Sequence, residues 1–242
     1  ERNHSVNTML AHMNRVATAG ELSSSIAHEI KQPLAAVTAH ANAGLRWLTK
    51  ETPDIDEALA ALRAIVKDGQ RVGEVIESVR AMYKKTNQER VPVDLDNLVQ
   101  SILGLVRAEL WKQQIIIQTE LTKPLPLVIG HKGQLQQVIL NLIRNAAEAM
   151  QLVSGRARIL RVKTAPQDPD RVLLSIADSG IGIDPKDIDR IFEAFYTTKA
   201  EGMGMGLAIC RSIIEAHGGQ LWASSGVDHG SVFNILLPAV RL

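Results

Sequence analysis

Several short runs in this chain carry residue types and spacings that could do chemistry. Asp178-Ser179-Gly180-Ile181-Gly182-Ile183 directly follows a strand-like stretch, Val172 to Ala177. An aspartate at a strand end can accept a hydrogen bond from an exocyclic amine, and adenine offers one. The two glycines let the backbone turn and approach a flat base closely. Further on, Glu201-Gly202-Met203-Gly204-Met205-Gly206 runs into a helical pattern that opens near Leu207. A glycine loop feeding a helix presents free N–H groups and the positive end of a helix dipole, which suits phosphate. It is neither a P-loop, since no Gly-Lys-Ser/Thr follows, nor a dinucleotide fingerprint, which needs a strand immediately before it. Asn141 and Asn145 lie four apart on a strongly helical segment and share a face with Glu148. Their amide oxygens are hard ligands of the kind Mg²⁺ takes beside phosphate oxygens and water. Each feature alone is ordinary: a glycine cluster is also a surface loop, and paired asparagines are also a solvated helix face.

A fourth candidate is His28, followed by Glu29. With Ile26 at zero and about 100° per residue, Leu22, Ile30, Pro33 and Val37 fall within about 40° of one line, and His28 falls at about 200°, opposite it. The imidazole is therefore expected on the exposed side of a helix. A neutral imidazole is a competent nucleophile near neutral pH. A neighbouring carboxylate can accept one ring N–H and leave the other nitrogen to attack. Pro33 removes a backbone donor and is expected to kink the helix just past this site.

The elements that must hold these groups follow from periodicity. One helical pattern runs from about Ser5 to Leu48, and Thr52-Pro53-Asp54 breaks it. A second runs from about Asp54 to Lys85, with Ile55, Leu59, Leu62, Val66, Gly69, Val72, Ile76, Val79 and Tyr83 close to the 3.5-residue repeat of a coiled-coil seam. Two such helices make a hairpin whose apolar stripe is half uncovered. Pairing two hairpins into a four-helix bundle would bury it, so a homodimer is expected. Thr86 to Arg90 is polar and aperiodic and reads as a hinge. Beyond it strands and helices mix: strands at Ile115 to Leu121, Arg158 to Val162, Arg171 to Ala177, Leu221 to Ala223 and Ser231 to Leu237, and helices at Leu135 to Met150, Asp187 to Phe195 and Leu207 to Ala216. The strands come in hairpin-like runs, so a mixed sheet covered on one face by helices is expected.

Composition sets bounds. The chain has 242 residues, 45% apolar and 22% charged, as in an ordinary globular protein, and only 3% aromatic, so the core must rest on aliphatic side chains. A formal net charge of +1 gives no reason to expect nucleic acid or an anionic membrane as partner. The single cysteine, Cys210, excludes an internal disulfide and a multi-cysteine metal site. No stretch approaches the roughly 18 apolar residues of a membrane span. The chain opens on Glu1 and reads as a piece of something longer, with a cytoplasmic location expected for this piece whether the parent is membrane-bound or soluble.

In order and spacing these runs resemble the sensor histidine kinases of two-component signalling, from about Ala19 to Pro238. The H box resembles Ser25 to Leu34, the N box Asn141 to Ala149, the G1 box Asp178 to Ile183, the F box Ile191 to Lys199, and the G2 box Gly202 to Leu207. Gly230 to Pro238 is similar to the closing strand of that family. The resemblance implies an α + α/β chain: an N-terminal helical hairpin forming a dimeric four-helix bundle, followed by a GHKL (Bergerat) α/β sandwich. It divides the chain into a signalling helix from an upstream sensor domain (1–18), a dimerisation and histidine phosphotransfer hairpin (19–86), a hinge (87–92) and a catalytic ATP-binding domain (93–242).

The roles implied are these. His28 accepts the phosphoryl group and Glu29 polarises it. Asp178 binds the adenine amine, and Gly180 and Gly182 shape the base pocket. Asn145 and Asn141 hold Mg²⁺ and the triphosphate of ATP. Lys199 and a lid through Gly202, Gly204, Gly206 and Leu207 cover the phosphates, Phe195 packs that lid, and Ser231 stands near the base. A response regulator receiver domain is the implied acceptor. The wider ATPase superfamily carries a water-activating glutamate where this chain has Asn141, which argues against steady hydrolysis. Gln32 stands where the subgroup that also dephosphorylates its partner has Thr or Asn; an amide there can still orient a water, which extends the expectation to a phosphatase activity. The run Lys31 to Ala36 looks more like the oxygen-sensing nitrogen-fixation kinases. Two rivals are an ATP-hydrolysing machine of the same superfamily and a degenerate kinase that only scaffolds a dimer.

Overall fold

A computed structural model describes residues 30–83, 90–168, 170–199, 204–226 and 229–240. The chain divides into two compact units, Glu1–Lys84 and Lys85–Leu242.

The first unit is a helical hairpin of α1, residues 30–48, and α2, Ile55–Tyr83. Asp54 makes the break. Its carboxylate accepts the Glu57 N–H at 3.2 Å, its carbonyl accepts the Ala58 N–H at 3.1 Å, and its own N–H reaches back to the Trp47 carbonyl at 3.1 Å. A side-chain cap of this kind is worth about 1 kcal/mol. The two helices meet through small residues. Pro33, Gly44, Ala58 and Ala61 are buried, and a Cβ on Gly44 would lie 3.5 Å from that of Ala61. Large apolar residues stay uncovered on both helices: Leu45 on α1 is 60% exposed, and along the seam of α2 Ile55 is 56%, Leu62 52% and Val66 60%. That inverts the usual burial of aliphatic side chains. Within one chain the hairpin closes on its small residues and leaves the expected stripe open. The helix is unbroken from residue 30 through Pro33, past which a kink is expected from the missing backbone donor; His28 and Glu29 lie outside the described residues.

The second unit is an α/β sandwich. Its strands are β1 (Val91–Val93), β2 (Ile115–Leu121), β3 (Leu127–Gly130), β4 (Arg158–Asp168), β5 (Arg171–Asp178), β6 (Gln220–Ser225) and β7 (Ser231–Val240), and its helices α3 (Leu95–Lys112), α4 (Lys132–Gln151) and α5 (Gly206–Ala216). Among the described residues the strands form one seven-stranded sheet in the order β1-β3-β7-β5-β4-β2, with β6 also on β7. β7 organises it. β5 pairs along one edge, while the other edge is shared, with β6 on Ser231 to Leu236 and β3 on Ala239 and Val240. β2 and β4 are parallel, and the other pairs are antiparallel.

Alternation sets the covered face. Leu160 and Val162 on β4, Val172, Leu174 and Ile176 on β5, and Phe233, Ile235 and Leu237 on β7 are buried, and their neighbours are not. Against them lie the apolar stripes of the helices, Leu98, Ile102 and Val106 on α3, Leu135, Ile139, Leu142 and Ala146 on α4, and Ile209 and Ile213 on α5. Thr164 continues the buried face of β4 as a polar residue. Its hydroxyl donates to Asp96 Oδ1 on α3 at 2.6 Å and accepts the Thr122 N–H at 3.3 Å. None of the described helices is long and apolar enough to cross a membrane.

Several elements differ from expectation. Asp187 to Phe195 is not a helix but two single 3₁₀ turns, Pro185–Asp187 and Arg190–Phe192. Asp184 caps the first at its own Lys186 N–H, Glu193 turns extended, and Phe195 takes φ 68°, so no second helical turn can add. Val91 and Pro92, expected in the hinge, pair with Gly130 and Ile129 in the sheet. β4 runs on to Asp168. α3 and β3 were not anticipated at all, although Asp94 caps α3 through the Asn97 N–H at 3.0 Å.

Candidate active site

The site is assembled at the carboxyl end of β5. Asp178 is the last residue of that strand and is buried. Its Oδ1 accepts the Gly180 N–H at 2.7 Å. Burial pushes its carboxyl above the ordinary value, while the backbone N–H groups of Gly180 and Ser231 and the Arg156 charge pull it back. Ser179 secures the turn, with its hydroxyl accepting the Ile159 N–H at 2.8 Å and donating to the Ala157 carbonyl at 3.0 Å. Gly182 follows with φ 81°. Gly230, with φ 78°, backs against the end of β5 so closely that a Cβ there would fall 1.9 Å from the Asp178 carbonyl oxygen. Only glycine fits that approach. Ser231, the first residue of β7, is buried beside the carboxylate.

The helix α4 brings the amides. Asn141 and Asn145 are half-buried on it, four residues apart. The Asn141 Nδ2 donates to the Cys210 sulfur on α5 at 3.2 Å. Its amide also lies against Gly206, where a Cβ would come within 2.9 Å of Nδ2. Asn145 Oδ1 accepts from the Lys199 ammonium at 3.3 Å, and Lys199 also donates to Glu148 Oε2. Gly206 opens α5, and Leu207, its second residue, is half-buried.

Lys199 reaches α4 from the segment after the 3₁₀ turns. The buried aromatic just before that segment is Phe192, in the second 3₁₀ turn, edge-on to Phe233 with centroids 6.4 Å apart. Phe195 is half-buried, and its N–H donates to the Gly204 carbonyl at 3.1 Å. The Tyr196 phenol donates to Asp187, which holds its proton more tightly than an ordinary phenol, and the Arg190 guanidinium lies 4.4 Å from the Tyr196 ring centroid.

The structure thus gathers Asp178, Gly180, Gly182 and Ser231 at one corner, Asn145 with Lys199 beside α4, Asn141 with Gly206, and Phe195 with Gly204. His28, Glu29 and Gly202 lie outside the described residues, and Gln32 is exposed on α1 in the other unit. Arg156 and Cys210 were not expected here. Arg156 sits in the loop between α4 and β4, where spacing carries no signal, and Cys210 occupies an ordinary apolar position of α5. Chemically, a buried acceptor in a glycine-walled turn suits an exocyclic amine. Two amide oxygens near a lysine and a helix N-terminus suit a polyphosphate and a hard cation.

Residues 130–241 match the family described as histidine kinase-, DNA gyrase B-, and HSP90-like ATPase, and residues 18–88 match the His Kinase A (phospho-acceptor) domain. The chain is 38% identical over 230 residues to the sensor histidine kinase TmoS of Ectopseudomonas mendocina, covering 95% of this chain and 24% of that protein. It is 35% identical over 231 residues to the sensor protein FixL of Bradyrhizobium diazoefficiens, covering 95% and 45%. The chain therefore spans less than half of these relatives. The catalytic domain of histidine kinase ThkA superposes with TM-score 0.57 at 30% identity, over 63% of this chain and 97% of that one. ThkA in complex with the response regulator TrrA superposes with TM-score 0.74 at 24% identity, over 94% and 64%, a likeness of fold. With both domain types matched in sequence and the glycine-walled carboxylate, the amide helix and the lysine segment in family order, the chain belongs to the sensor histidine kinases, with a HisKA domain followed by a GHKL ATP-binding domain.

Proposed function

We propose that this chain binds Mg-ATP at the Asp178 corner, transfers the γ-phosphoryl group to His28, and passes it to an aspartate of a response regulator. The observation that carries the nucleotide half is the Asp178 carboxylate, buried at a strand end with its Oδ1 on the Gly180 N–H and Gly230 packed against it. Adenine's amine has its acceptor there. The triphosphate then falls toward the start of α5 and Lys199. Asn141 and Asn145 fit Mg²⁺ as hard oxygen donors on one side of α4, and the Cys210 contact occupies the Asn141 nitrogen so that Oδ1 remains as its donor atom. Bound there, Mg²⁺ would neutralise charge on the phosphates.

In the transfer, the free ring nitrogen of His28 attacks the γ-phosphorus in line. An N–P bond forms as the bond to the β-phosphate oxygen breaks, ADP leaves, and Glu29 takes a hydrogen bond from the other ring N–H. Catalysis of this kind is mostly positioning and charge neutralisation. The phosphoryl group next passes from the imidazole to the regulator's carboxylate. The uncovered Leu45, Ile55, Leu62 and Val66 support a homodimer built by a second hairpin. A phosphatase activity toward the regulator would draw on the Gln32 amide, on α1, to orient the hydrolytic water.

The test is incubation with Mg-ATP labelled at the γ-phosphate, beside His28→Ala and Asp178→Asn. An acid-labile, alkali-stable label that both substitutions abolish is expected. Phosphate release without label would instead make the chain an ATPase, and nucleotide binding without either would make it a scaffold.

A further inference from the structure

Arg156 stands outside every motif that marks the nucleotide site, in the loop between α4 and β4, yet its guanidinium Nη2 donates to the Gly180 carbonyl at 2.6 Å. The Gly180 N–H in turn donates to Asp178 Oδ1 at 2.7 Å. Gly180 is therefore gripped at both ends. On its remaining side it packs against α4, where a Cβ would lie 2.8 Å from that of Ala149. Gly180 cannot shift without losing one of these contacts, and the Asp178 carboxylate cannot rotate without losing Gly180.

We propose that Arg156 is a positioning residue for adenine recognition: by holding the Gly180 carbonyl it fixes the turn that anchors Oδ1 of Asp178 on the Gly180 N–H, and so aims the carboxylate at the base amine. This rests on the base-pocket reading given above. Arg156 acts through Gly180 and touches no substrate. Its charge also favours the ionised carboxylate, opposing the burial that disfavours it. Because Arg156 is itself exposed, that electrostatic part is screened, and the hydrogen bond to Gly180 carries the effect.

A residue that merely supported the fold would weaken every nucleotide alike. One that aims Asp178 weakens only nucleotides with an exocyclic amine. The full 242-residue chain and its Arg156→Ala, Arg156→Lys and Asp178→Asn variants are titrated calorimetrically in Mg²⁺ with ATP and with purine riboside triphosphate, which lacks the amine. Arg156→Ala is expected to lose about three- to tenfold in ATP affinity, the worth of one net hydrogen bond, and less than about twofold for the amine-free analogue. Arg156→Lys, which keeps the charge but not the fork, should lose less, and it carries the comparison if the alanine variant fails to fold. Equal losses for both nucleotides, or none for ATP, would overturn the proposal. Wild-type ATP affinity in Asp178→Asn would remove the base-pocket reading itself, and this inference with it.

Discussion

Phe195 and Gly204 are bound to each other: the Phe195 N–H donates to the Gly204 carbonyl at 3.1 Å, and a Cβ on Gly204 would lie 2.5 Å from the Phe195 carbonyl carbon. Both residues sit at positive φ, 68° and 66°. The segment that carries Lys199 and the loop that opens α5 are thus joined at one point with no room between them. Gly204→Ala should separate them, since the methyl clashes with backbone rather than with a movable side chain and the conformation itself costs about 1–2 kcal/mol. The expected result is a loss of more than about tenfold in ATP affinity with little change in far-ultraviolet circular dichroism. An unchanged affinity would mean that this junction does not shape the phosphate end of the site.

His217 ties the two site helices together at their far ends. It follows α5, is buried, accepts the His131 N–H on Nε2 at 3.0 Å and donates from Nδ1 to the Ile213 carbonyl at 2.7 Å. His131 begins α4, so the contact joins the C-terminus of one helix to the N-terminus of the other. A proton on Nε2 would face the His131 N–H, and the other groups around it, the His131 ring and the Arg90 guanidinium that donates to the Ala216 carbonyl, offer no acceptor charge. Burial holds the His217 pKa below its ordinary 6.5. The unfolded chain therefore binds the extra proton first. The stability from neutral His217 is complete above pH 6.5, declines as the pH falls below it, and is lost once the folded pKa is passed. Thermal melts of the wild type should fall between pH 7 and pH 5 more steeply than those of His217→Gln, which keeps an acceptor for His131 but cannot titrate. Parallel pH profiles would place the acid sensitivity elsewhere.

Cys210 offers a clean probe of the same helix pair, because it is the chain's single cysteine. It is buried between α4 and α5, and burial pushes its thiol up to about 12. Only thiolate reacts with disulfide reagents, so the folded protein should resist 5,5′-dithiobis(2-nitrobenzoate) at pH 8 while the denatured chain reacts fully. Saturating Mg-ATP should slow the residual reaction further, since the reagent must wait for α5 to part from Asn141. Immediate stoichiometric labelling of the folded protein would contradict the burial.

What could be read beforehand, and what could not, follows from the reach of each contact. Asp178, the glycines, Asn141 and Asn145 sit in short local runs that are ordinary one by one and gain meaning from their order, and Lys199 follows only from the family resemblance. Arg156 and Cys210 have no such neighbours. They act across 24 and 69 residues of chain, on Gly180 and Asn141, and no local pattern encodes that. α3 does carry a local signal: Asp94 caps it, and Leu95, Leu98, Val99, Ile102 and Val106 keep a helical period. The 3₁₀ turns mislead for the opposite reason, since Ile188, Ile191 and Phe192 imitate helical spacing while the extended Glu193 and the positive φ of Phe195 end it. In the hairpin the large residues dominate any periodic reading, whereas the contact within the chain is made by Gly44, Ala58 and Ala61, whose small size is their function.

Lys199 holds Glu148 and Asn145 at the end of the proposed site that would take the triphosphate. The Lys199 and Glu148 side chains are 44% and 46% exposed, so their pairing is worth less than about 1 kcal/mol and cannot matter to the fold. It can matter to binding, because phosphate must take the ammonium from the carboxylate. Glu148→Gln should therefore raise ATP affinity about twofold at low ionic strength, and the gain should shrink in 0.5 M salt as screening weakens the pair it relieves. Plain repulsion between Glu148 and the triphosphate would produce the same gain without Lys199. The double variant separates the two: in a Lys199→Ala background, which itself binds ATP more weakly, Glu148→Gln should bring no further change if the lysine is what the carboxylate competes for. A gain of the same size in both backgrounds would show that Glu148 acts on the phosphates directly.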